Sequence, residues 1–227
     1  MGFISDWHNR EPKKEIAKGT PEKQGLALFF DVLWREFWEL CKLNLIFILF
    51  SLPVVTIPVA ITAMSKVIFY MLLDKPVYAF GDFYSSFRLE WKRATLAGLI
   101  YSMVLALTVV GMVFYTAFLD VFVLYVMSML ACALILIAGF YLFPMLAVLD
   151  LNLKGIFKNA ILLTFLRMPQ NICALVLFVL LTLLVLVYLP TTLLAVLVIF
   201  FSLINLISTF CAYTALKKFV LTDGSDS

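Results

Sequence analysis

The stretch LFSLPVVTIPVAITA, Leu49–Ala63, belongs to a run from Leu43 to Ser65 that carries no Asp, Glu, Lys or Arg, and two prolines, Pro53 and Pro58, interrupt it. Proline has no backbone N–H, and it turns the residue before it away from helix. The run therefore reads either as one crossing of a membrane or as a hairpin that returns to the side from which it entered. The choice sets the side on which every later segment emerges.

That the solvent is a bilayer follows from composition. Hydrophobic residues make up 64% of the 227, charged residues only 14%, and mean hydropathy is +1.08. So few polar side chains cannot cover a water-soluble globule. The first 25 residues are polar and lack the basic start, apolar core and small-residue cleavage site of a secretory signal, so the chain is expected to begin in the cytoplasm. Ser5 is one place too early for a myristoylation signal starting at Gly2.

Three more runs lack acidic and basic residues: Ala94 to Leu119, Val121 to Leu149, and Met168 to Leu216. About 20 apolar residues cross the hydrocarbon core, so the first two make one span each and the third makes two, divided near Pro190. If the opening run crossed once, Lys75, Arg88, Lys92, Arg93, Lys154, Lys158, Arg167, Lys217 and Lys218 would all lie outside, against the positive-inside rule. A hairpin instead gathers all 17 Lys and Arg on or near one face, with Asp120 the one carboxylate opposite. Its arms are either full spans, roughly Phe30 to Leu52 and Thr56 to Leu73, or a shallower re-entrant loop.

The expected fold is all-α: a polytopic transmembrane bundle of about six segments with both termini cytoplasmic. The polar segment 1–25 leads into an amphipathic interfacial helix at 26–42. The transmembrane domain, 43–216, has segments at about 43–52, 56–73, 94–119, 121–149, 171–189 and 191–216, and a cytoplasmic tail occupies 217–227. In the interfacial helix Leu26, Phe29, Phe30, Leu33, Phe37, Leu40 and Cys41 recur at three- and four-residue steps, and Trp34 and Trp38 suit the headgroup layer. The competing reading is the wet end of one long helix.

Two further amphipathic segments are expected on the cytoplasmic side. In the first, Phe80, Phe83, Tyr84, Phe87 and Trp91 share a face, with Arg88, Lys92 and Arg93 toward water or lipid phosphate. In the second, Leu153, Ile156, Phe157, Ala160 and Ile161 form a stripe beside Lys154 and Lys158. Asp82 and either Asp150 or Asn152 are candidate caps. The plain role of these segments is to float at the bilayer surface; the sharper one is to dock a partner, through Phe83, Phe87, Arg88, Trp91, Arg93, Phe157 and Lys158. The order span, amphipathic helix, span occurs twice, which suggests an internal repeat.

Chemistry-bearing groups are sparse. The single histidine, His8, lies in the polar N-terminal segment. Cys41, Cys132, Cys173 and Cys211 form no CxxC pair and read as apolar fillers. No phosphate-binding loop is present. No cofactor, metal or catalytic residue is expected, and nucleic acid is not an expected partner. Lys66 is the one basic residue well inside an apolar run; its favoured reading is snorkelling to the cytoplasmic surface, with a buried functional lysine as the alternative. Thr56, Asn205 and Thr209, with Asn44, Ser51, Thr62, Ser65, Ser208 and Tyr213, are expected to bond neighbouring helices; the rival reading is a lining for sugar hydroxyls. Pro144 frees the carbonyl of Phe140 and is expected to kink a helix longer than the bilayer is thick.

NLIFILFSLPVVTIPVAITA, DFYSSFRLEWKRATLAGLI and YLFPMLAVLDLNLKGIFKNAILL together resemble the YesL-like family of bacterial integral membrane proteins. Leu52 to Ile57 fit its core motif, while Pro58 stands where the family has glycine and Val59 where it has proline. The family has no established reaction. Its members are associated with carbohydrate-utilisation loci and sugar-importing ABC transporters. The resemblance thus implies a non-catalytic accessory subunit in the bacterial cell membrane, with lipid and an ABC permease and ATPase as partners and carbohydrate met through them. The alternative is a stand-alone transporter or channel for a neutral solute; a membrane enzyme lacks any acid, base or nucleophile constellation.

Overall fold

The computed structural model describes residues 25–119, 122–188 and 191–217. Pro190, Asp120, His8 and nearly all of the two terminal segments lie outside the described residues. Among those described the chain is helical throughout, without strands. Helices α1 (Leu26–Arg35) and α2 (Phe37–Phe50) lead through a 3₁₀ turn (Val54–Thr56) into α3 (Ile57–Leu72). Then follow α4 (Ala79–Phe114), α5 (Phe122–Val148), α6 (Leu153–Leu166) and α7 (Met168–Val187). A short turn (Leu193–Ala195) and a π-helical turn (Val196–Phe200) precede α8 (Phe201–Leu216).

Five helical stretches are long and apolar enough to cross a membrane: Val54–Leu72, Ala79–Ala117, Phe122–Val148, Met168–Val187 and Leu193–Leu216. This is a multi-pass membrane protein. The sixth expected segment is represented by α2, whose 14 residues give only about 21 Å of helix against a hydrocarbon core of about 30 Å.

The proline-broken stretch is a hairpin. At its open end the Arg35 guanidinium lies 3.0 Å from the Asp74 carboxylate and donates to the Met71 carbonyl at 3.4 Å. The start of α2 therefore meets the end of α3, and the chain leaves where it came in. At the tip, the Thr56 hydroxyl reaches the Phe50 and Pro53 carbonyls, each at 2.6 Å, and so satisfies acceptors that the end of α2 leaves open. Pro58 sits in the first turn of α3, where an amide N–H would have no intrahelical acceptor in any case. Asp74 ends α3 in the left-handed region, φ 56°. Its N–H bonds Met71 and that of Lys75 bonds Tyr70, the paired closure usually built on glycine.

Around the hairpin the core is one-ended. α3 is enclosed by α2, α4, α5 and α8, and thirteen of its residues are buried. The buried part of α5 begins at Ile137 and runs to Val148, and that of α8 runs from Ser202 to Leu216. The opposite ends, residues 99–114 of α4 and 122–136 of α5, are apolar and mostly exposed, as suits lipid-facing surface.

Two expectations need correction. Residues 80–93 are not a separate surface helix ahead of a span at 94: α4 is one helix of 36 residues, about 54 Å long, because neither proline nor a capping residue interrupts Arg93-Ala94. The second amphipathic segment is separate, as expected. Asn152 caps α6 by accepting from the Gly155 N–H at 2.9 Å, and α6 stops at Arg167, before Pro169. The two proposed repeats are thus built differently. Pro144 does free the Phe140 carbonyl, and the Ser208 hydroxyl of α8 takes it at 3.0 Å.

Gly98 of α4 seats the Pro58 ring: a Cβ there would stand 2.2 Å from the ring carbons. Gly98→Ala is expected to lower stability by about 1–3 kcal/mol through overpacking. Gly111→Ala, whose nearest neighbour would be an ordinary 3.7 Å away, is expected to be neutral or slightly stabilising. Thermal unfolding of the detergent-solubilised chain measures both.

Candidate functional site

Charged side chains cluster where the hairpin meets the base of α4. Lys66, on α3, is 8% exposed, and its ammonium acts electrostatically on the Glu90 carboxylate of α4. Glu90 accepts from Arg93 at 3.2 Å. Arg93 lies 4.0 Å from Asp150, after α5, and donates to the Leu151 carbonyl. The chain Lys66–Glu90–Arg93–Asp150 joins α3, α4 and the α5–α6 junction. Snorkelling, the favoured reading of Lys66, is therefore corrected: its charge is held inside by an acid 24 positions further on, which periodicity alone does not reveal. A charge buried this deeply persists only when paired.

The neutral polar residues bond neighbouring helices. Asn205 Nδ2 donates to the Ile61 carbonyl at 3.2 Å, and its Oδ1 accepts from the hydroxyls of Ser65 (3.0 Å) and Thr209 (2.9 Å). Asn44 donates to the carbonyls of Val196 and Leu197 and accepts from the Ser202 N–H at 3.0 Å. The π-helical turn at Val196–Phe200 leaves carbonyls free for such a partner. Tyr141 bonds Asn171, whose amide donates to Leu163 and Thr164 carbonyls. Arg167 ties the α6–α7 junction to α8 through Thr214, at 2.8 Å to its carbonyl. The polar atoms once considered for sugar hydroxyls are thus engaged with one another.

The expected docking residues divide. Phe83 is 0% exposed and stacks with Phe50 and Phe87, so it belongs to the core; Arg93 is committed to Glu90 and Leu151. Phe87 and Phe157 are half-buried. Arg88, Trp91 and Lys158 are exposed, as are Lys92 and Lys154. Two clefts flank this base. One, about 540 Å³, lies between α2 and the start of α4, with Glu39, Lys42 and Tyr78 on its walls. The other, about 480 Å³, lies among α5, α6 and the end of α8, lined by Leu149, Leu162, Leu166 and Leu216. Among the described residues no group of three His, Cys, Asp or Glu side chains could hold a metal.

The model of the family described as "Protein of unknown function, DUF624" matches residues 40–112, which hold the hairpin and most of α4. Residues 40–112 are a DUF624 segment. YesL-like proteins belong to DUF624, so the resemblance read from the three quoted stretches fits. No curated protein and no solved structure gives a significant match. The DUF624 segment contains Lys66, Glu90 and Arg93 together with the Pro58–Gly98 contact.

Lys66→Met leaves Glu90 without one of its two cations, and Glu90→Gln leaves Lys66 beside a neutral amide. Each is expected to cost roughly 3–5 kcal/mol, against under about 0.5 kcal/mol for Lys92→Met at an exposed position. In denaturant unfolding the double variant is expected to lose less than the sum of the singles, since the pair goes together.

Proposed function

We propose that the chain is a non-catalytic accessory subunit of a bacterial carbohydrate ABC import system. It lies in the cell membrane with both termini in the cytoplasm, and it acts through contacts with the permease, the ATPase or both. The observation that carries this reading is the two-sided character of the base of α4. Its inner face is fixed by Phe83, Phe87 and Glu90, while Arg88, Trp91 and Lys92 stand exposed. Among the described residues Arg88, Lys92, Lys154 and Lys158 form no ion pair. Exposed Arg and Trp over a rigid, packed support are the residue types that anchor protein interfaces, and unpaired cations steer an acidic partner surface. The YesL-like resemblance, with its association with carbohydrate-utilisation loci, supports the choice of a sugar importer as the setting. The positive-inside rule supports placing this base in the cytoplasm.

A tagged chain purified in mild detergent is expected to recover permease or ATPase subunits, and its deletion to impair oligosaccharide uptake. Arg88→Glu combined with Lys158→Glu is expected to reduce recovery about tenfold, the equivalent of ~1.4 kcal/mol, with the chain still folded. Full recovery with the reversed charges, or no partner and intact uptake, would reject the reading.

A further inference from the structure

We propose that the α2–α3 hairpin is inserted in a single leaflet, with its tip, Leu49–Val55, immersed among acyl-chain ends near the middle of the bilayer. Its lipid partner is thus the leaflet that borders the charged base of α4. This inference is independent of any protein partner.

The first support is a ruler along the exposed face of α2. Trp34, Trp38 and Lys42 come first, then Leu45, Leu49 and Leu52, all exposed. Lys42, its side chain 62% exposed and 2.7 Å from Glu39, marks the headgroup layer with the two tryptophans. Leu52 lies ten positions later, at about 1.5 Å each, so the tip reaches about 15 Å into a core of about 30 Å.

The second support is a ruler along α4. Ring contacts from Phe50 fall on Phe83, Tyr84 and Phe87, and Pro58 sits on Gly98. Beyond Gly98 the same helix continues 16 residues to Phe114, about 24 Å. Val54–Leu72 is long enough to cross by composition, but its tip stops well short of the far end of the helix on which it lies.

The third support is chemical. A reversal inside hydrocarbon is tolerated only when its backbone polar groups are satisfied. The Thr56 hydroxyl covers the Phe50 and Pro53 carbonyls, the Ser51 N–H bonds Phe47 and Ile48, and the Thr56 N–H bonds Pro53. Pro53 and Pro58 bring no N–H at all. Leu52, Val54 and Val55, between 70% and 75% exposed, then face outward from a turn that asks little of water.

A nitroxide on single cysteines in proteoliposomes reads depth from the ratio of oxygen to nickel-chelate accessibility. With the four native cysteines replaced, Val55→Cys is expected near mid-bilayer, Trp34→Cys at one headgroup layer and Val113→Cys close to the opposite one. A Val55 label as deep as that at Val113 would make the hairpin a full crossing and overturn the proposal, and one as shallow as that at Trp34 would overturn it equally. In the chain with its own cysteines, Val55→Asp is expected to lower the yield of folded protein in membranes more than tenfold, while Trp34→Asp stays within about twofold. Equal tolerance of the two would place the tip in water and sink the inference.

Discussion

The seating of the Pro58 ring on Gly98 is the contact from which the rest of the arrangement follows. A side chain at position 98 would push α3 away from α4, and α3 is the helix around which α2, α5 and α8 are packed. Close approach at that point sets Lys66 against Glu90 further down the same two helices, and it sets the level at which the turn of the hairpin stops. The ionic chain through Arg93 to Asp150 then carries the same registration to α6. One small residue thus fixes both an apolar contact and, about two turns of α4 away, an electrostatic one.

Much of this was legible in the order of residues. The reversal at Leu49–Ala63 follows from the placement of cationic loops, because a single crossing would have put them on the wrong side. The relation of Pro144 to the Phe140 carbonyl was legible too, since proline removes a defined donor; the identity of the acceptor's new partner, Ser208, was not, because it comes from a helix more than sixty positions away. The continuity of α4 was misread at Arg93-Ala94, where the charge pattern changes but the backbone has no reason to stop. Hydropathy reports the solvent a helix meets and says little about where the helix ends.

The site was less legible than the fold for a related reason. A stripe of aromatic residues predicts which face of a helix is apolar, and Phe83 and Trp91 were read on one such stripe. Only tertiary packing tells that Phe83 is inside and Trp91 outside. Lys66 was ambiguous because its fate depends on whether an acid faces it from another helix. Likewise Arg93 carries the same charge as Arg88, and its commitment to Glu90 and Leu151 comes from the way α5 ends beside it.

The unbroken length of α4 has a mechanical consequence. Its charged base and its lipid-facing end belong to one rod about 54 Å long, with no hinge to absorb a push. A tilt of about 5° imposed at the base swings the far end by roughly 5 Å over that length. Leverage of this kind needs no rearrangement inside the helix, so a force applied on one side of the bilayer arrives on the other as displacement.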